Sequence, residues 1–269
     1  MFREWCTVAA VFVAAPVLAQ DQPVAAPPAP AGEVQPGDPP PAPPPPRERP
    51  WSEGWGGSID LGITGADGNT QNFNFRGAVG ANRKSDFNDT KLSFTYSFKT
   101  DDGTDTENRA VFDARNDWLF TESKWRVFAL GALEFDEFKD YDARLSLFGG
   151  VGYELVKNER TLLIGRAGLG ASREFGGTDD KWTPEALLGV DFERQIAANQ
   201  KFFFTADLYP SLDNYPDYRA VAKAGYEIML DEASKMLLKL GLEDRYDSTP
   251  GLGFRRNDLT YFITLGWAF

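Results

Sequence analysis

From Trp51 to Phe269, large apolar residues fall on alternate positions in one segment after another. A period of two gathers them on one face of a β-strand, because successive side chains point to opposite faces. In Thr90–Lys99, Leu92, Phe94, Tyr96 and Phe98 share one face, while Lys91, Ser93, Thr95, Ser97 and Lys99 share the other. Ser58–Thr64, Pro184–Glu193 and Tyr218–Ile228 repeat the arrangement. About twelve such segments follow one another, each about ten to fourteen residues long, near the length a tilted strand needs to cross hydrocarbon. They fall at 55–65, 70–83, 90–100, 107–120, 125–137, 143–156, 161–174, 183–195, 200–211, 217–229, 235–247 and 258–269.

Two architectures alternate in this way. A secreted β-sandwich turns its apolar face inward, and a transmembrane β-barrel turns it outward to lipid. The strands here are long, since those of ordinary globular proteins centre on about five or six residues. The face opposite the apolar one carries many full charges, and the connectors alternate in length. Thr121–Lys124, Val156–Arg160, Ile196–Asn199 and Leu230–Ser234 are short. Thr100–Thr106, Phe138–Asp142, Gly176–Lys181, Leu212–Pro216 and Ser248–Asn257 are longer and mostly acidic. Asp67-Gly68 is a hairpin turn, since both residues tolerate positive φ. The expected fold is an all-β, transmembrane, antiparallel up-and-down barrel of about twelve strands over residues 51–269.

In that fold the polar face lines the lumen. The register turns Arg76, Arg109, Arg115, Arg144, Arg166, Arg219 and Arg245 inward, together with Asp113, Glu134 and Asp136. These are the candidate lumen-lining and selectivity residues. Asp60, Asp117, Glu154, Glu174, Glu185, Asp191, Glu193, Asp207, Glu227, Glu243, Lys91, Lys99, Arg126, Lys223 and Lys239 face the same way. Acids and bases nearly balance, so paired ladders between neighbouring strands are expected rather than a lumen of one sign. Gly150, Gly152, Gly168 and Gly170 leave room for the long charged side chains. Eight strands are filled by their own side chains and sixteen leave a channel, so about twelve with this load give a narrow or occluded bore.

The preceding residues follow other rules. Val8–Leu18 is a short apolar core, and Val17-Leu18-Ala19 supplies the small residues of a signal-peptidase site, so residues 1–19 read as a secretory signal peptide. Cys6, the single cysteine, precedes that core and is not placed for lipidation. Residues 20–50 are low in complexity, with a proline-dominated run from Pro39 to Pro46, and read as a disordered periplasmic linker. A tether to a periplasmic partner is the sharper alternative.

Composition narrows the chemistry. The chain has no histidine, which removes the usual proton shuttle and the commonest metal ligand. No Gly-x-Ser-x-Gly elbow or phosphate-binding loop occurs. A carboxylate-only mechanism stays open, but paired acids are too common in this lumen to single one out. No catalytic residue, metal site or cofactor is assigned. A net charge of −12 disfavours nucleic acid as a partner. Thr100–Glu107 is rich in Asp and Glu but lacks the spacing of a calcium loop, so solvated loop acids are expected there.

The barrel segment also resembles a known family. The resemblance rests on Gly68-Asn69-Thr70, on Glu134-Phe-Asp136-Glu-Phe-Lys-Asp140-Tyr-Asp142-Ala-Arg144 and on Gly149-Gly-Val-Gly152-Tyr153. Tyr209-Pro-Ser-Leu212 and Arg245-Tyr-Asp247-Ser extend it, and so does the aromatic end of the chain. In this order they resemble the salt-induced outer-membrane protein family, uncharacterised bacterial outer-membrane β-barrels. The resemblance implies an outer-membrane location and a response to salt; it supplies no substrate or site, and the barrel reading itself makes outer-membrane lipid and lipopolysaccharide the expected partners. The resemblance also implies that Tyr261, Ile263, Leu265, Trp267 and Phe269 form a signal read by the barrel-assembly machinery. The expected role is a narrow channel for small solutes or ions linked to envelope stress. A sealed structural barrel with acidic loops is the alternative.

Overall fold

Each alternating segment forms a strand. In the computed structural model, which describes residues 53–66, 71–177, 180–250 and 255–269, the twelve strands are β1 (Trp55–Ala66), β2 (Asn72–Lys84), β3 (Asn88–Asp101), β4 (Thr104–Leu119), β5 (Trp125–Asp136), β6 (Ala143–Lys157), β7 (Thr161–Phe175), β8 (Trp182–Ala197), β9 (Gln200–Pro210), β10 (Tyr218–Asp231), β11 (Met236–Asp247) and β12 (Asn257–Ala268). Every strand pairs antiparallel with its sequence neighbours, and β12 pairs with β1 to close the barrel. Residues 1–52, the Asp67-Gly68 hairpin with Gly68-Asn69-Thr70, and Asp179 lie outside the described residues.

Closure removes the sheet edges and satisfies the backbone within the ring. The seam is the shortest ladder. It runs from Ser58↔Ala268 to Leu61↔Leu265, and Gly57 and Phe269 exchange two further backbone bonds of 3.2 and 3.0 Å. The Phe269 ring lies over the space that a Cβ on Gly57 would fill. The alternating apolar residues of β12 therefore end on the residue that completes the closure.

An even strand count puts Trp55 and Ala268 at the same end of the barrel, with the short turns after β2, β4, β6, β8 and β10. We call this the turn end and the other the loop end. One connector differs from expectation. Thr100–Thr106 is not a loop: β3 and β4 run on to a tight turn at Asp102-Gly103, with φ of 47° and 75°. Both central residues adopt positive φ, as a hairpin turn of matching twist requires. One bulge between Lys99 and Thr100 absorbs the register shift, and Thr104 and Asp105 are ladder residues.

Burial is inverted relative to a water-soluble protein. Ile63 is 66% exposed, Leu169 65% and Tyr261 80%. Asp117 is 0% exposed, and Arg166 and Asp191 are 5% exposed each. Exposed apolar residues such as Leu61, Phe94, Phe112, Leu133, Leu147 and Leu188 cover the outer face around the barrel. A continuous exposed apolar belt on a monomer is unstable in water and stable in hydrocarbon. The β-sandwich alternative is excluded, because the ring is closed and its apolar face points out.

Candidate functional site: the barrel lumen

The lumen is built by alternation itself. The strand positions between the lipid-facing residues turn their side chains to the centre, and one-residue slips would reverse them. The structure places all ten candidate residues on this inner side. It brings most of them together in one layer in the loop half, through contacts that the order of strands does not disclose.

The centre of that layer is a five-residue cluster. Arg245 on β11 donates to both carboxylate oxygens of Glu134 on β5, each at 3.0 Å. In a ring of twelve, β5 and β11 stand directly opposite, so this bridge crosses the bore. Arg109 donates through Nε to Glu134 at 3.1 Å and through Nη2 to Glu243 at 3.3 Å. Arg76 donates to Glu243 at 3.3 Å, and Arg245 Nε donates to the same carboxylate at 2.7 Å. Asp136 stands 4.0 Å from Arg109. The Arg76 guanidinium also lies 4.1 Å from the ring centre of Phe262, whose ring occupies the space over Gly241.

A second tier lies beside it. Arg144 pairs with Glu174 and is 3.8 Å from Asp247. Arg219 makes bonds of 2.7 and 2.9 Å to the two oxygens of Glu185. Each guanidinium is matched to an aromatic ring: Arg144 to Tyr141 at 4.4 Å and Arg219 to Tyr209 at 5.2 Å. Tyr141 sits in the loop before β6 and is 4% exposed; burial pushes its phenol well above the usual range, so it stays a neutral hydroxyl.

The Arg144, Tyr209 and Arg219 side chains, with the Glu134–Arg245 bridge beside them, form a septum between two cavities. The smaller, about 290 Å³, faces the loop end and is lined by Lys139, Tyr141, Ser211, Asn214 and Thr249 among others. The larger, about 700 Å³, runs toward the turn end. Both touch Arg144, Tyr209 and Arg219. Below the septum, Lys223 on β10 approaches Asp113 on β4 to 3.8 Å, and Lys91 on β3 reaches Glu193 on β8 at 3.1 Å.

The remaining candidates line the larger cavity, Arg166 from the β5–β8 wall and Arg115 reaching it from β4. Arg115 bridges Asp117 at 2.6 Å and Asp191 at 2.7 Å. Arg166 bridges Asp191 at 2.9 Å and Asp207 at 2.8 Å, and Arg126 pairs with Glu154. Arg115, Arg126 and Arg166 each keep buried nitrogens with no protein acceptor among the described residues. Pairing is thus only partly between neighbours. Arg144–Glu174 and Arg126–Glu154 join adjacent strands as expected, whereas Arg245–Glu134, Arg109–Glu243, Lys223–Asp113 and Lys91–Glu193 cross the lumen.

The same wall holds residues that the sequence pattern did not mark. Phe128, Phe148 and Leu187 form a buried cluster inside the barrel, packed by Leu130 and Tyr209. Two of the inward glycines accommodate aromatic rings rather than charged chains: a Cβ at Gly168 would press on the Phe128 ring, and one at Gly170 would overlap Phe148. Gly152, beside Arg126, does make room for an arginine. The signal was present, since Phe128, Phe148 and Leu187 fall on the charged parity, but a reading that assigns that parity to polar residues passes over them.

Residues 59–269 match the sequence family described as "Protein of unknown function, DUF481". The chain belongs to DUF481. The match spans the barrel, and its description assigns the family no activity and no salt response. No curated protein matches the chain in sequence. Among solved structures, similarity extends to the NanC porin, at 12% identity over 79% of this chain and 98% of that one, with a TM-score of 0.46. It extends also to the translocator domain of autotransporter NalP from Neisseria meningitidis, at 12% identity over 80% and 87%, with a TM-score of 0.45. The outer membrane channel DcaP of Acinetobacter baumannii gives 9% identity over 80% and 96%, with a TM-score of 0.38.

Proposed function

We propose that this DUF481 barrel is a narrow, gated channel for small solutes or ions in the bacterial outer membrane, held closed by the ion-pair septum. One observation carries the reading: side chains alone separate the two cavities. One loop side chain, Tyr141, joins the strand side chains of the barrier, and cavities of about 290 and 700 Å³ lie on either side. A barrier of side chains opens by rotamer changes, and water in both cavities rehydrates the charges as they part. The septum residues Arg76, Arg109, Glu134, Arg144, Arg219 and Arg245 are then the groups a passing solute meets, and set selectivity.

The reading places the turn end and both barrel termini in the periplasm, where a signal peptide and a proline linker would leave them. It pairs the outer belt with membrane lipid and lipopolysaccharide, and β12 with the assembly machinery through strand addition. A periplasmic partner of the proline segment belongs to the same reading. The lumen works without catalysis, and the family resemblance adds a role under salt or envelope stress. Planar-bilayer recording of the purified protein tests the channel: discrete unitary currents are expected. Silence across voltages, from protein shown to be folded and inserted, would overturn it in favour of a sealed barrel.

A further inference from the structure

The smaller cavity is walled mostly by polar groups, unlike the apolar pockets that take most drug-sized ligands. Its volume of about 290 Å³ lies at the low edge of the ~300–1,000 Å³ typical of small-molecule sites. Ser172 on β7 and Thr183 on β8 are cross-strand partners and set two hydroxyls side by side on its wall. Tyr141, from the loop before β6, and Tyr209 on β9 bring two phenols to the same space. None of these four hydroxyls makes a hydrogen bond with the described residues. Tyr141 is 4% exposed and Ser172 6%, so groups without a protein partner lie deep in the fold rather than on its surface.

The ions around these hydroxyls are already compensated. Arg144 pairs with Glu174, Arg219 with Glu185 and Lys139 with Asp258. Both Arg144 bonds end on Oε1 of Glu174, which leaves Oε2 as an open acceptor. The exposed acids Asp140 and Asp213 stand at the rim and repel an anion. The wall therefore offers groups that both donate and accept hydrogen bonds, set between neutral ion pairs. A ligand displaces water from such groups without loss only when it reproduces their hydrogen bonds. An alkyl chain cannot do so, and a polyhydroxylated ring can.

We propose that this cavity binds a small neutral saccharide. The ring hydroxyls of a mono- or disaccharide exchange hydrogen bonds with Tyr141, Ser172, Thr183, Tyr209 and the open oxygen of Glu174. The site faces the loop end, so the proposal holds for a conducting and a sealed barrel alike. The test uses the full chain refolded in detergent micelles free of lipopolysaccharide, titrated with glucose, galactose, maltose and lactose and read by saturation-transfer NMR. Glucuronate and tetramethylammonium are the anionic and cationic comparisons, and empty micelles give the background. At least one of the neutral sugars should bind saturably, glucuronate should bind more weakly than that sugar, and tetramethylammonium should not bind. Tyr141→Phe, Tyr209→Phe and Ser172→Ala each remove one hydroxyl that no described protein group uses. Folding, read as heat-modifiable mobility, should therefore be unchanged in each. Sugar binding should weaken about two- to tenfold per variant, the loss of one hydrogen bond, and further in the triple variant. Signals equal to the micelle background for all four sugars, sugar binding equal in native protein and a folded triple variant, or binding of glucuronate or tetramethylammonium as tight as that of the best sugar would each overturn the proposal.

Discussion

Glu134→Gln is the sharpest perturbation of the septum. Glu134 accepts two bonds from Arg245 and one from Arg109. The substitution removes a negative charge from a cluster of three guanidiniums, leaving Glu243 at 2.7–3.3 Å and Asp136 at 4.0 Å as the carboxylates that answer them. A hydrogen bond to a charged group contributes about 1.5–3 kcal/mol. Losing one of the two Arg245–Glu134 bonds therefore shifts the closed–open equilibrium by about tenfold to a hundredfold. If the open state of the native barrel holds about 1% of molecules, a common population for a minor conformer, the variant opens to about a tenth to a half. Single-channel recording in planar bilayers reads this as longer and more frequent openings. A septum that only braces the fold would respond differently: buried unpaired guanidiniums would destabilise the barrel by about 3–5 kcal/mol without new currents. Currents identical in native and Glu134→Gln protein, both fully heat-modifiable, would refute the gating argument.

Other consequences can be measured separately. Leu169→Arg, at the middle of the lipid face of β7, should cost about 2–4 kcal/mol in denaturant unfolding from vesicles; a neutral effect would contradict a lipid-facing Leu169. Gly170→Ala forces a Cβ onto the Leu147 carbonyl and the Phe148 ring, and should cost about 1–3 kcal/mol by overpacking, measured the same way. Deleting Phe269 removes two backbone bonds to Gly57 at the shortest ladder of the ring. It should lower the heat-modifiable fraction recovered from membranes, and undiminished recovery would show that the seam does not need it.

The strands were legible because alternation is a local signal. Twelve segments and twelve strands agree to within a few residues at most ends. The main misreading, Thr100–Thr106, came from composition: Asp and Thr suggested a loop, whereas Asp102-Gly103 was enough to turn the chain and the flanking residues paired. Parity also assigned inward faces correctly. It could not say which inward residues meet, because contacts such as Arg245–Glu134 and Lys223–Asp113 join opposite walls and depend on how the closed ring is shaped. Neither could it separate Phe128 and Phe148 from polar lining, since the space they fill is created by Gly168 and Gly170 on other strands.

The charged lumen depends on hydrocarbon surrounding the ring. A spin-label scan from residue 163 to 170 of β7, in lipid vesicles, tests this most directly. Labels at the outward positions 163, 165, 167 and 169 should collide freely with oxygen dissolved in the lipid, and labels at 164, 166, 168 and 170 should be shielded from it. The opposite phase, or oxygen collision that does not alternate, would contradict a barrel with its apolar side chains turned to lipid and its charges enclosed.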